Sequence, residues 1–120
     1  MADPVKIGLI GATGRMGGEV LENAFRSETH EVVAAIAMPE QAGQAVGPQP
    51  IVLADSTASV AAKADVLIDF SSPAGFESGL SAAVDAGIPF VSGTTGLSQD
   101  LLDELEDAAA SIPVLLAANF

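Results

Sequence analysis

The chain has 120 residues, 49% of them hydrophobic, with five Phe and no Trp or Tyr. With no Cys and a single His, it argues against disulfide frameworks, thiol nucleophiles, Cys- or His-built metal centres and a Ser/His/Asp triad, and no metal site is expected. Sixteen acidic residues face four basic ones, a net charge of −12, which argues against nucleic acid and anionic membranes as partners and suits either a protein working in high salt or simply an acidic soluble one.

The length predicts one domain, with a core that buries roughly two-thirds of the unfolded surface. Val5 to Ile10 is apolar and predicts a first strand, followed by a tight turn over Gly11 to Gly14. From Gly14 to Arg26 the spacing is helical, with Met16, Val20, Leu21, Ala24 and Phe25 on one face. Glu31 to Ala37 predicts a second strand, with His30 on the surface ahead of it. Met38 to Pro50 is rich in Pro and Gly and predicts a loop. Ile51 to Leu53 predicts a short third strand, and Ser56 to Lys63 a short Ala-rich helix.

Val66 to Phe70 predicts the fourth strand. Ser72 is a natural N-cap with Pro73 at the first helical position, and that helix runs to Ala86 with Gly87 as its stop. Pro89 to Ser92 predicts the fifth strand. Ser98 caps a last helix, with Leu101, Leu102, Leu105, Ala108 and Ala109 as its buried stripe, and Pro113 to Ala117 predicts the sixth strand. No apolar run approaches the ~18 residues of a membrane span, the N-terminus lacks signal-peptide features, and a cytoplasmic protein is expected.

Strands alternating with helices predict an α/β fold, a doubly wound parallel sheet of about six strands in the order 3-2-1-4-5-6. Ligands bind such sheets at strand carboxyl ends. The irregular segments all fall there: Gly11 to Gly14, Phe70 to Ser72, Gly93 to Gly96, and Asn119 with Phe120. Gly11-Ala12-Thr13-Gly14-Arg15-Met16-Gly17 follows a strand and opens a helix, as a pyrophosphate-binding loop does. Gly11 permits the tight turn and Gly14 the close approach of backbone to phosphate, although Thr13 stands where the dinucleotide fingerprint has its second Gly. Arg15, a cation at a helix N-terminus, opposes the dipole and points to a phosphate or ribose, with a solvated side chain as the other reading. The second strand ends Ile36-Ala37-Met38-Pro39, with neither an acid for an adenine ribose nor an Arg for a 2′-phosphate, so the choice between NADH and NADPH stays open.

Four segments together resemble the dihydrodipicolinate reductase (4-hydroxy-tetrahydrodipicolinate reductase) family of lysine biosynthesis: the glycine loop, Asp69-Phe70-Ser71, Gly93-Thr94-Thr95-Gly96 and Ala117-Ala118-Asn119-Phe120. The resemblance spans the whole chain. It implies an oxidoreductase that reduces a cyclic imine with NADPH or NADH. Gly11, Ala12, Thr13, Gly14, Arg15 and Met16 would then hold the pyrophosphate. Asp69, Phe70 and Ser71 would border the nicotinamide half, with an Asx-type turn as the other reading of Asp69. Gly93, Thr94 and Thr95 would touch the nicotinamide end, with Thr95 facing a substrate carboxylate, or would merely stabilise a turn. Ala117, Ala118, Asn119 and Phe120 would close the pocket.

The resemblance also implies that the 120 residues form the dinucleotide-binding domain, that the family's C-terminal substrate domain lies outside this chain, and that the whole protein is a homo-oligomer acting on a small dicarboxylate. No catalytic residue is then expected here, and the chain alone is expected to be inactive. Ala37 and Met38 depart from the family's acidic and basic pair. The rival readings are a stand-alone NAD(P)-binding or redox-sensing module, and another dehydrogenase on the same sheet.

Overall fold

Val5–Ile10 forms strand β1 in a computed structural model that describes residues 3–117, and its last four residues are buried. Helix α1, Arg15–Phe25, follows and leads into β2, His30–Ile36, which starts at exposed His30. Gly17 and Leu21 of α1 are buried, whereas Phe25, expected on the buried face, is exposed. After β2 come a 3-10 turn, Pro39–Gln41, and two short strands, β3 (Ala45–Val46) and β4 (Ile51–Val52). The rest alternates helix and strand: α2 (Thr57–Lys63), β5 (Val66–Asp69), α3 (Pro73–Ala86), β6 (Phe90–Ser92), α4 (Gln99–Ala108) and β7 (Val114–Leu116). Ala109 falls just past α4 and is exposed rather than part of its buried stripe.

The central sheet has five strands in the order β2-β1-β5-β6-β7, every pair parallel. This is the doubly wound class, but the expected count and order are corrected. The segment Ile51 to Leu53 adds no third strand beside β2. Its residues Ile51–Val52 pair antiparallel with Ala45–Val46 in a separate two-stranded ribbon. A parallel neighbour for β2 needs a crossover, usually a helix. The intervening stretch carries Pro39, Pro48 and Pro50, and it turns with positive φ at Gly43 and Gly47. It folds back on itself instead, touching the sheet through the Ala54 N–H on the Ala35 carbonyl at 2.8 Å.

Alternate side chains feed two cores. Ile10, Ala34, Leu67 and Phe90 pack with Val60 of α2 and with Phe76 and Leu80 of α3, while Leu9 and Ala35 pack with Leu21 of α1 and Leu53. Phe76 and Phe90 meet edge to face, ring centroids 5.4 Å apart. Helices therefore cover both faces, and the direction of winding reverses between β1 and β5. Among the described residues no helix is long and apolar enough to cross a membrane.

Gly18 sits exposed in α1, where an added Cβ meets nothing within 4 Å. Gly18→Ala is expected to stabilise the chain by roughly 1 kcal/mol, read as a higher midpoint in thermal or urea unfolding.

Candidate functional site

Helices α2, α3 and α4 each begin with a serine whose hydroxyl accepts a first-turn N–H: Ser56 from Ser59, Ser72 from Gly75 and Ser98 from Leu101. Helix α1 begins differently. Gly14 holds the capping position and has no side chain to offer, so the N–H groups of Arg15, Met16 and Gly17 have no acceptor among the described residues.

The three loop glycines separate by what an added Cβ would meet. At Gly11, with φ +86°, it would overlap the Phe70 carbonyl oxygen. At Gly17 it would overlap the Gly11 carbonyl oxygen and lie 2.8 Å from Ala12 Cα. At Gly14 its nearest atoms are the Gly11 and Phe70 carbonyl oxygens at 3.5 and 3.9 Å, ordinary contacts, on backbone with φ −78° and ψ 174°. The fold therefore requires Gly11 and Gly17 but not Gly14. The bare Gly14 backbone leaves the α1 N-terminus open.

A cleft of about 520 Å³ runs past it, across the carboxyl ends of β1, β2 and β5. Gly11, Thr13 and Gly14 line its middle, and Phe70, Ser71, Ser72 and Gly75 line one side. Ala37, Met38, Pro39, Asp55 and Thr57 line the other. No Lys or Arg is among the residues lining it. Thr13 donates its hydroxyl to Gln41 Oε1 at 3.0 Å, and the same oxygen accepts the Met38 N–H at 3.2 Å. Gln41 thus ties the glycine loop to the segment after β2, which accounts for a Thr where the fingerprint has Gly.

Five of the expected site residues, Gly11, Thr13, Gly14, Phe70 and Ser71, share this cleft. Ala12 is buried beneath the loop, and Arg15 stands exposed in the first turn of α1. Met16 lies half-buried in a second, apolar groove that also touches Phe70. Gly93, Thr94 and Thr95 follow β6, outside the cleft lining; Thr95 is exposed, while Thr94 is only 4% exposed. Ala117 follows β7, and its N–H bonds the Ser92 carbonyl at 2.9 Å. Ala118, Asn119 and Phe120 lie outside the described residues.

The Asx-type turn is a correction: Asp69 is fully buried, its carboxyl is held by the hydroxyls of Ser71, Ser92 and Thr94, and the Ser71 N–H goes to Thr94 Oγ1 instead. The sequence reading missed Gln41, Asp55, Thr57 and Gly75. Only Gly75, a glycine in the first turn of a well-capped helix, carried a local signal.

A family model described as dihydrodipicolinate reductase, N-terminus, matches residues 5–120. The 4-hydroxy-tetrahydrodipicolinate reductase of Thermomicrobium roseum is 40% identical over 119 residues, covering 97% of this chain and 46% of that protein. The chain spans about half the length of the curated relatives it matches. Among solved structures, a dipicolinate-bound dihydrodipicolinate reductase from Paenisporosarcina sp. TG-14 aligns with TM-score 0.73 and 21% identity, covering 97% of this chain and 48% of that one. Aspartate semialdehyde dehydrogenase with NADP from Candida albicans aligns with TM-score 0.69 and 16% identity, covering 93% and 42%. At such identities the two structures bear on the fold alone.

Proposed function

Since the chain belongs to the family of dihydrodipicolinate reductase N-termini, we propose that it is the nicotinamide-dinucleotide-binding domain of a 4-hydroxy-tetrahydrodipicolinate reductase. The whole protein would reduce the cyclic imine derived from 4-hydroxy-tetrahydrodipicolinate, in lysine biosynthesis, as a cytoplasmic homo-oligomer. The observation that carries this reading is the uncapped N-terminus of α1 behind Gly14, a glycine the fold does not need. Donor N–H groups and the positive end of a helix dipole suit a pyrophosphate. A non-catalytic sensing module is not favoured, because the curated relatives carry the reductase name.

In this reading the backbone of Arg15, Met16 and Gly17, with the Arg15 guanidinium, would hold the pyrophosphate over Gly11 to Gly14. Phe70, Ser71, Gly93 and Thr94 would flank the nicotinamide half, with Ala117, Ala118, Asn119 and Phe120 closing it. The exposed hydroxyl of Thr95 would take one carboxylate of the substrate without adding charge. The chemistry available from a bound reduced nicotinamide is hydride donation to a C=N bond. Calorimetric titration with NADH tests the reading: cofactor at 100 times its Kd is expected to stabilise the fold by about 2.7 kcal/mol. A chain that neither binds NADH nor gains stability from it overturns the assignment.

NADH is the preferred form in this proposal. The wall formed by Ala37, Met38, Asp55 and Thr57 faces the adenosine side of a dinucleotide centred on β1. It carries one carboxylate and no cation, and a 2′-phosphate there would meet Asp55 without an Arg or Lys to offset it. Asp55→Ala is expected to raise NADPH affinity relative to NADH by about tenfold, some 1.4 kcal/mol. Competitive titrations with the two cofactors read that ratio, and an unmoved ratio removes Asp55 from the specificity argument.

A further inference from the structure

Asp69 closes β5, and the residue is fully buried. Burying a carboxylate is expensive, and among the described residues the one salt bridge is Arg26–Glu22, so no cation balances it. Hydroxyl donors do so instead. One carboxyl oxygen, Oδ1, accepts from Ser71 Oγ. The other, Oδ2, accepts from Ser92 Oγ and Thr94 Oγ1, both at 2.7 Å. The donors are themselves cross-tied. Thr94 Oγ1 accepts the Ser71 N–H at 3.0 Å, and Ser92 Oγ accepts the Thr94 N–H at 3.1 Å. The backbone oxygen of Asp69 accepts the Gly93 N–H at 2.9 Å. Gly75 completes the arrangement, because any Cβ there would overlap Ser71 Oγ.

A position chosen for packing alone would hold an apolar side chain. This one joins two turns that the strand ladder holds only at their first residues, through the Phe70 N–H on the Ile10 carbonyl and the Gly93 N–H on the Asp69 carbonyl: the turn at Phe70 and Ser71, and the turn at Gly93 to Thr95. Both stand at carboxyl ends on the β5 and β6 side of the point where the winding reverses. A dinucleotide whose pyrophosphate sits at the α1 N-terminus lays one nucleoside toward β2 and the other toward β5 and β6. We infer that Asp69 is a positioning residue: through Ser71, Ser92 and Thr94 it sets the two loops that receive the nicotinamide half of the cofactor. The inference rests on the dinucleotide reading above. It assigns Thr94 an internal task, with its hydroxyl committed as donor to Asp69 and as acceptor from Ser71, and leaves Thr95 as the residue of that turn that faces outward.

The test compares NADH with ADP-ribose, which lacks the nicotinamide, by calorimetry on the protein as its gene encodes it. The parent protein is expected to bind NADH at least tenfold more tightly than ADP-ribose. Asp69→Asn keeps the volume and removes one acceptor. It is expected to lower NADH affinity about tenfold, towards that of ADP-ribose, while ADP-ribose affinity stays within twofold. Ser92→Ala keeps the carboxyl and removes one donor, so it decides the matter should Asp69→Asn fail to fold; a smaller fall, again selective for NADH, is expected. A merely structural role would weaken both ligands by the same factor, and an NADH to ADP-ribose ratio unchanged in the variants overturns the inference alone. A parent protein that binds neither ligand overturns this inference together with the dinucleotide reading.

Discussion

Gly14→Val is expected to cost the chain its NADH affinity, by about 100-fold or more, near 2.7 kcal/mol, while the fold stands. The extended backbone at Gly14 accepts any residue, and a Cβ there makes ordinary contacts with the Gly11 and Phe70 carbonyl oxygens. The cost to the fold is that of a poor capping residue, about 1 kcal/mol. The branched side chain would stand over the N–H groups of Arg15 to Gly17 and keep a phosphate from reaching them. Gly17→Ala makes the contrast. Its Cβ would overlap the loop carbonyl at Gly11, an overpacking worth about 1–3 kcal/mol, so the melting temperature falls along with binding. Calorimetry and thermal unfolding on the two variants separate the effects. Parent-like NADH binding by Gly14→Val would remove the glycine loop from the site.

The 120-residue chain alone is expected to bind NADH yet reduce no dihydrodipicolinate. The substrate is a dianion, and its imine carbon must be held within about 3–3.5 Å of the hydride donor. The chain has four basic side chains, and the fold puts three of them at the wrong end of the sheet. Lys6 is the second residue of β1, Arg26 follows α1 and pairs with Glu22 at 2.8 Å, and Lys63 ends α2. His30, at the start of β2, is likewise at an amino end. Arg15 remains, and in the proposed dinucleotide site the pyrophosphate would claim it. Among the described residues at the carboxyl ends there is no Lys or His to deliver a proton to the product nitrogen. NADH oxidation with enzymatically generated substrate, beside a full-length reductase as control, reads the result. Turnover by the chain near the control rate would refute the division of labour between two domains.

Local chemistry was legible in the sequence, and long-range adjacency was not. Val5 to Ile10 is bounded as read, because a buried parallel strand announces itself as an unbroken apolar run. Ser72, Pro73 and Gly87 bracket α3 to the residue, because capping is settled within one helical turn. Ile51 to Leu53 looked like a sheet strand because its composition is that of one. Its partner was decided by a connection unable to form a crossover helix. The same division runs through the site. The glycine loop is contiguous and visible, whereas Asp55 and Thr57 reach the cleft, and Gln41 reaches Thr13, only because β2 and α2 flank β1. Asp69 gives no sign in one dimension that three hydroxyls, two from turns and one from the end of β6, converge on it.

Strand β7 ends the sheet, with no neighbour on its outer side among the described residues and with Leu115 57% exposed. In the 120 residues taken by themselves, such an edge would be a template on which a second copy could add its own strand. What opposes the meeting is long-range repulsion between two bodies of charge −12, five of whose acids crowd between Asp100 and Asp107 on the helix leading to β7. Screening shortens from ~10 Å at 0.1 M salt to ~3 Å at 1 M, so salt acts on this molecule twice. It relieves repulsion within each chain and withdraws the barrier between chains. For these 120 residues by themselves, colloidal behaviour and thermal stability are therefore expected to be set against each other along one axis, the salt that best protects the fold being also the salt at which the β7 edge would first find company.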